Sequence, residues 1–135
     1  MIIYTDIVGD LFHSGHVNFL RLAKQMGSKL IVGITSDKDV SKYKRLPIID
    51  ENNRKIVIES CRYVDQVIEN CPTPITKEFI DNYSIDIVVH GDDMNNINDI
   101  EKWYKIPNDL GILKFIKYTS GISTTEIIEK IKFKN

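Results

Sequence analysis

At 135 residues, 42% of them apolar and 27% charged, the chain has material for one core and one domain over residues 1–135, and too little for a second. Its 18 Lys and Arg against 19 Asp and Glu leave a net charge of −1, so no basic field exists to attract nucleic acid. No apolar run approaches the ~20 residues that span a bilayer, and the opening MIIYTDIVGD lacks the basic segment of a secretory signal, so a cytoplasmic protein without a membrane span is expected.

Along the chain, short β-rich apolar runs alternate with segments of helical period, the order of βα units that build a parallel sheet. Strands are expected at 2–4, 30–34, 66–68, 85–90 and 113–116, and helices at 16–26, 53–63, 76–82, 98–105 and 123–131. The expected fold is α/β, a single Rossmann-like domain with a five-stranded parallel sheet flanked by helices. Residues 36–52 read as a long charged loop carrying Lys38, Lys42, Lys44 and Arg45, a candidate lid. Cys61 and Cys71 form no Cys-x-x-Cys pair and read as reduced thiols. Ligands of open α/β sheets bind beyond the carboxyl ends of the strands. Segments 6–16, 35–45, 90–93 and 118–125 all follow expected strands, so the chemistry-bearing residues should converge on one sheet edge.

The first of these segments holds Asp10-Leu11-Phe12-His13-Ser14-Gly15-His16, with two histidines where a strand gives way to an amphipathic helix. A helix N-terminus favours an anion, and imidazoles at i and i+3 can donate N–H bonds to phosphate oxygens, most strongly when protonated. Gly15 would let a ligand approach between them. The same pair also fits a capping group, a surface pair or an incidental metal site. As a zinc site it lacks further ligands, since His90 alone remains among histidines and the cysteines do not pair. The chemistry it suits is nucleotidyl transfer, where protein groups position reactants and absorb charge spread over oxygens.

Other segments carry double readings. Ser123-x-x-Glu126 is a capping box for the last helix, while Ser123, Thr124 and Thr125 also offer hydroxyls to a second anion. Lys44 and Arg45 form either a solvated basic cluster or a charge that folds over a bound triphosphate. Arg54 stands near a helix start, a poor place for a cation, which points to an anionic partner; Arg62, near the helix end, has an ordinary structural reason. His90-Gly91-Asp92-Asp93 is either a tight turn with Gly91 at positive φ or a set of carbonyls and carboxylates for the exocyclic amine of a nucleobase.

Taken in order, these residues resemble the cytidylyltransferase family over nearly the whole chain. His13-Ser14-Gly15-His16 matches its H-x-G-H signature, Arg62-Tyr63-Val64-Asp65 its R-Y-V-D segment, and Gly121-Ile122-Ser123-Thr124-Thr125 its G-I-S-T-T/S signature. Cys71-Pro72-Thr73-Pro74-Ile75-Thr76 and the His90–Asp93 turn are similar to the branch acting on phosphoethanolamine and phosphocholine. The resemblance implies activation of a phosphoalcohol with CTP and Mg²⁺, the ion held mainly by CTP phosphates rather than by protein ligands. It implies that His13 and His16 hold triphosphate oxygens in the transition state and that Lys44 supplies charge from the lid. Nucleotide contacts would come from Val8, Gly9 and Gly15, from Arg54, from His90, Gly91, Asp92 and Asp93, and from Gly121, Ile122, Ser123 and Thr124. Asp6 would face the ammonium of the acceptor, with Tyr118 as part of an aromatic wall, and a homodimer would form near residues 62–65. Two departures stand out. The family's G-x-F-D is Ile7-Val8-Gly9-Asp10 here, and its R-T-E-G is Tyr118-Thr119-Ser120-Gly121, which removes an arginine and leaves Lys117 as the candidate to compensate. Glycerol-3-phosphate cytidylyltransferase, an adenylyltransferase of the same superfamily and a catalytically weak nucleotide sensor are the alternatives.

Overall fold

The computed structural model describes residues 1–117 and 121–133. Five strands, β1 (Ile2–Ile7), β2 (Lys29–Ile34), β3 (Gln66–Ile68), β4 (Ile87–Gly91) and β5 (Leu113–Ile116), form one sheet in the order β3-β2-β1-β4-β5. Every pairing is parallel. Between them run α1 (Ser14–Gln25), α2 (Asp37–Val40), α3 (Glu51–Glu59), α4 (Lys77–Asn82), α5 (Ile97–Trp103) and α6 (Lys105–Asp109), and α7 (Thr124–Phe133) follows β5. No helix among the described residues is long and apolar enough to cross a membrane.

Period-2 alternation sends the strand side chains to two cores. Ile3, Leu30, Val32, Ile34 and Val89 meet Leu20 and Ala23 of α1 and Ile58 of α3 on one face. Tyr4, Ile31 and Val88 meet Phe79 and Ile80 of α4 and Tyr104 on the other. Each fully buried Ile, Leu or Val contributes about 1.5–3 kcal/mol relative to exposure, so these layers dominate the stability and the polar edge contributes mainly geometry.

All five expected strands form, with shifted ends. β1 runs on through Asp6 and Ile7 because β2 pairs with it to Asp6↔Gly33 and Ile7↔Ile34, beyond the point where the apolar pattern stops. α3 starts early, since Asp50 caps it by accepting from Asn53 N–H at 2.9 Å. The segment expected as one long loop is interrupted by α2, capped by Ser36, whose hydroxyl accepts from Asp39 N–H at 3.1 Å. The irregular stretch is therefore residues 41–50. α6 has no counterpart among the expected helices; Pro107 lies within it, and proline is tolerated in a first turn, where the N–H is unused.

The strand order reverses between β1 and β4, the position where an open α/β sheet forms its crevice. Their ladder holds only Ile3↔Ile87 and Tyr4↔Val88, so Asp6 and Ile7 on one strand and His90 and Gly91 on the other lie past the last rung. The loops above this crevice are tied by Arg54. Its side chain is fully buried; Nε donates to Ile49 O at 3.0 Å, Nη1 to Val8 O at 2.6 Å, and Nη2 to Thr35 O at 3.0 Å and Asp37 Oδ1 at 2.6 Å. One planar fork thereby joins the loop after β1, the end of β2, α2 and the entry to α3. Arg54→Met should lower the unfolding free energy by about 3 kcal/mol, because three carbonyls and a carboxylate lose a buried partner. Arg54→Lys should recover little, having no fork. Urea denaturation of the three proteins checks this; a loss below about 0.5 kcal/mol, the level of an ordinary surface change, would contradict the clamp.

Candidate active site

The two histidines are built into the start of α1. His13, at φ −141° and ψ −178°, is the cap residue, and its Nδ1 accepts from Gly15 N–H at 3.0 Å. His16 Nδ1 reaches back to accept from His13 N–H at 3.1 Å, completing a reciprocal box in which both acceptors are imidazoles. An accepting Nδ1 leaves the proton on Nε2, so both rings are neutral N–H donors of one tautomer. The ring centroids lie 4.0 Å apart, and Phe12 stacks on His16 at 5.3 Å with 7° between planes. Burial lowers the pKa of His13, and burial followed by the nearby His13 lowers that of His16 to about 4, with Asp10 opposing. The stronger, protonated form of the donor pair is therefore disfavoured: both shifts, and the acceptor role of each Nδ1, favour the neutral rings. Gly15 has a structural reason as well: a Cβ there would stand 2.8 Å from His13 Cε1, so the missing side chain makes room for the His13 ring.

The loop beneath the histidines is pinned by Asp10, a nearly buried carboxylate. Its Oδ2 accepts from Ile48 N–H and its Oδ1 from Ile49 N–H, both at 2.9 Å, and its carbonyl accepts from Thr124 Oγ1 at 2.9 Å. The loop after β1, the end of the 41–50 stretch and the start of α7 are joined at this one residue. Gly9 adopts φ 68°, and a Cβ there would fall 2.6 Å from Ile58 Cδ1, so the displaced glycine of the Ile7–Asp10 segment sits where this backbone requires it. Ser123 caps α7 as expected, its hydroxyl accepting from Glu126 N–H at 3.1 Å.

A cleft of about 820 Å³ opens over the crevice. Asp6, Val8, Gly9, His13, Gly15 and His16 form its β1 side. His90, Gly91 and Asp93 form its β4 side, and Lys44 comes from the 41–50 stretch. Ile122, Ser123, Thr124 and Lys117 close the end near α7. Three residues assigned from the sequence are not in its wall. Arg54 lies beneath the loops with its guanidinium committed to the chain, which corrects its expected place at the phosphates. Asp92 and Gly121 are likewise outside the lining, and Tyr118 lies outside the described residues. Gly91 has φ −68° rather than a positive value; a Cβ on it would stand 2.7 Å from Asp93 Oδ1. Among the described residues no three His, Cys, Asp or Glu side chains gather as a metal cage.

At the far end of the cleft Asp6 is surrounded by aromatic residues that the sequence reading missed. Tyr104 Oη donates to Asp6 Oδ1 at 3.0 Å, and the Tyr104 ring lies 5.2 Å from that of His90. Tyr43 and Trp103 complete the wall, their centroids 5.1 Å apart. Burial first, and then the Asp6 charge, raises the pKa of Tyr104 and pushes those of Tyr43 and the adjoining Cys71 up to about 12. These groups stay neutral beside the carboxylate, so Asp6 is framed by rings, with Asp99 and Lys102 also in the cleft wall. The signal available in the sequence was weak, since Tyr43 lies in a charged stretch and Trp103 and Tyr104 follow a helix of poor pattern.

Residues 9–130 match a family model described as cytidylyltransferase-like. The chain is 42% identical, over 96% of its own length and 37% of the relative's, to an ethanolamine-phosphate cytidylyltransferase of Dictyostelium discoideum. It is 38% identical to choline-phosphate cytidylyltransferase A of Mus musculus, over 96% of this chain and 36% of that protein. The chain therefore spans little more than a third of the curated relatives it matches. Among solved structures, the lipopolysaccharide core biosynthesis protein of Thermoplasma volcanium GSS1 has the same fold, with a TM-score of 0.70 at 24% identity, covering 90% of this chain and 98% of that one. Because the matched region takes in the histidine box, the crevice residues and the start of α7 alike, the chain belongs to the cytidylyltransferase-like family.

Proposed function

We propose that this chain transfers CMP from CTP to phosphoethanolamine or phosphocholine, releasing pyrophosphate. The observation that carries this reading is one cleft with two chemically distinct ends: paired neutral N–H donors at His13 and His16, and a carboxylate framed by aromatic rings at Asp6. The first end suits phosphate oxygens that gain charge in a transition state. The second suits an ammonium, which pairs with Asp6 and packs on the rings. Glycerol 3-phosphate has no cation for that end. The names of the related ethanolamine-phosphate and choline-phosphate enzymes support the same substrate class.

In the proposed reaction an acceptor phosphate oxygen attacks the α-phosphorus in line. The new O–P bond forms as the bond to the bridging oxygen of pyrophosphate breaks, and no covalent enzyme intermediate arises. The Nε2–H groups of His13 and His16 donate to the oxygens that take up charge. Lys44 adds charge from the loop, while Lys117, Ser123 and Thr124 bound the same end of the cleft. Mg²⁺ belongs to the proposal as the counter-ion of the nucleotide phosphates, since the described residues offer it no cage of their own. A cytoplasmic homodimer is proposed with it, with exposed Arg62 near the interface. Asp65 in the same turn has an internal task, accepting from Leu30 N–H at 2.7 Å and pairing with Lys24 at 2.5 Å.

His13→Ala and His16→Ala should each reduce kcat by about a hundredfold with little change in CTP affinity, the loss expected for one preorganised donor. Steady-state kinetics check this, and near-normal turnover in both variants discards the site. Nitrogen-detected NMR of the free protein at pH 7 should show both rings as Nε2–H tautomers; an imidazolium or an Nδ1–H ring would contradict the capping geometry. The lowered pKa of His16 also has a sign. Between about 4 and its ordinary value of 6.5 the unfolded chain binds the extra proton, so this stability is full above pH 6.5 and is lost as pH falls toward 4.

The acceptor assignment is tested by Asp6→Asn, which keeps shape and removes charge. It should lower kcat/KM for the amino-alcohol phosphate by roughly tenfold to a hundredfold, as for a charge-assisted contact, and leave CTP KM nearly unchanged. Preference of the wild type for glycerol 3-phosphate, or an equal loss with both acceptors, overturns the head-group assignment.

A further inference from the structure

The 41–50 stretch is fastened firmly at both ends and makes one ring contact across the crevice. Before it, the Asp37 carboxylate of α2 accepts from Arg54 Nη2, and at its far end Asp10 accepts from the Ile48 and Ile49 amides. Between them residues 41–46 are exposed. Tyr43, which follows β2 in the chain, lays its ring 5.1 Å from that of Trp103, which follows β4. The contact therefore bridges the two halves of the sheet directly over the Asp6 pocket. Trp103 already has a cation partner in Lys102, whose Nζ lies 4.8 Å from the ring centroid, so an acceptor ammonium would share this ring or displace the lysine.

Tyr43 and Lys44 are also tied to one anchor. Both backbone N–H groups donate to the carbonyl of buried Val40, at 3.1 and 2.9 Å, and Lys44 Nζ rests 5.8 Å from the Tyr43 ring centroid. Where the Tyr43 ring settles thus decides where the Lys44 stem begins.

We propose that Tyr43 is a positioning residue that couples head-group binding beside Asp6 to the placement of Lys44 on the nucleotide phosphates, through its ring contact with Trp103. The inference rests on the cytidylyl transfer proposed above. An ammonium beside Asp6 adds a partner for the rings of Tyr43 and Trp103, which favours the loop position that closes over the cleft. By linkage the effect is reciprocal, and the acceptor and CTP each tighten the other's binding.

The test is steady-state kinetics of the full chain with CTP, Mg²⁺ and phosphoethanolamine. Tyr43→Ala should raise acceptor KM about tenfold, within the usual range of coupling between sites, and lower kcat, while the Kd of CTP, measured by calorimetry in the absence of acceptor, stays nearly unchanged. Tyr43→Phe keeps the ring and should recover most of that loss. In a Lys44→Ala background, Tyr43→Ala should cause little further fall in kcat, because it acts through the lysine. Trp103→Ala should reproduce the Tyr43→Ala pattern, and melting temperatures close to wild type separate these effects from failed folding. Independent, multiplicative losses in the Tyr43/Lys44 double variant, or a Tyr43→Phe protein as impaired as Tyr43→Ala, overturn the coupling while wild-type turnover keeps the catalytic reading. A wild type that converts no phosphoalcohol overturns both.

Discussion

The architecture above the crevice depends on one constraint: four loop segments meet at the carboxyl edge of a parallel sheet, and their peptide groups need partners away from water. Arg54 meets the acceptor side of that demand by donating to the carbonyls of Val8, Thr35 and Ile49 and to the Asp37 carboxylate. Asp10 meets the donor side by accepting from the Ile48 and Ile49 amides. A buried cation and a buried anion, each committed to backbone, thus hold the same stretch from opposite sides. Such groups cost several kcal/mol of desolvation, and full hydrogen bonding is what offsets it.

The chemistry inherits this rigidity. Because the loop after β1 is held by Arg54 at Val8 and by Asp10 at its far end, α1 begins in a set orientation, and the capping box commits both Nδ1 atoms, leaving Nε2–H as the donor of two rings that line the cleft. Donors that are already oriented need no reorganisation as charge develops, which is where their catalytic value lies. Phe12 and the tight approach of His13 to Gly15 restrict the rings further. Stability and function therefore share the β1–α1 junction, and substitutions there should disturb both.

What could be read from the chain was what is local. The βα alternation yields the sheet, and His13-x-x-His16 with Ser123-x-x-Glu126 marks two helix starts, because each depends on neighbours within one turn. Arg54 was misread for the opposite reason: its partners lie at Val8, Thr35, Asp37 and Ile49, and only the folded chain brings those carbonyls to one guanidinium. The aromatic wall at Asp6 was missed because Tyr43 comes from the β2–β3 connection and Trp103 and Tyr104 from the β4–β5 connection, neither of which has a clear helical pattern at these residues. The protonation of the histidines was also out of reach, since it follows from burial and from the acceptor role of Nδ1.

The most direct test of the account is ³¹P NMR of the chain mixed with CTP, Mg²⁺ and phosphoethanolamine or phosphocholine, with ATP as the control nucleotide. The account predicts a CDP-alcohol and pyrophosphate appearing in equal amounts, with CTP and not with ATP. Cleavage of CTP without a CDP-alcohol, equal use of ATP, or no turnover with either acceptor would contradict it.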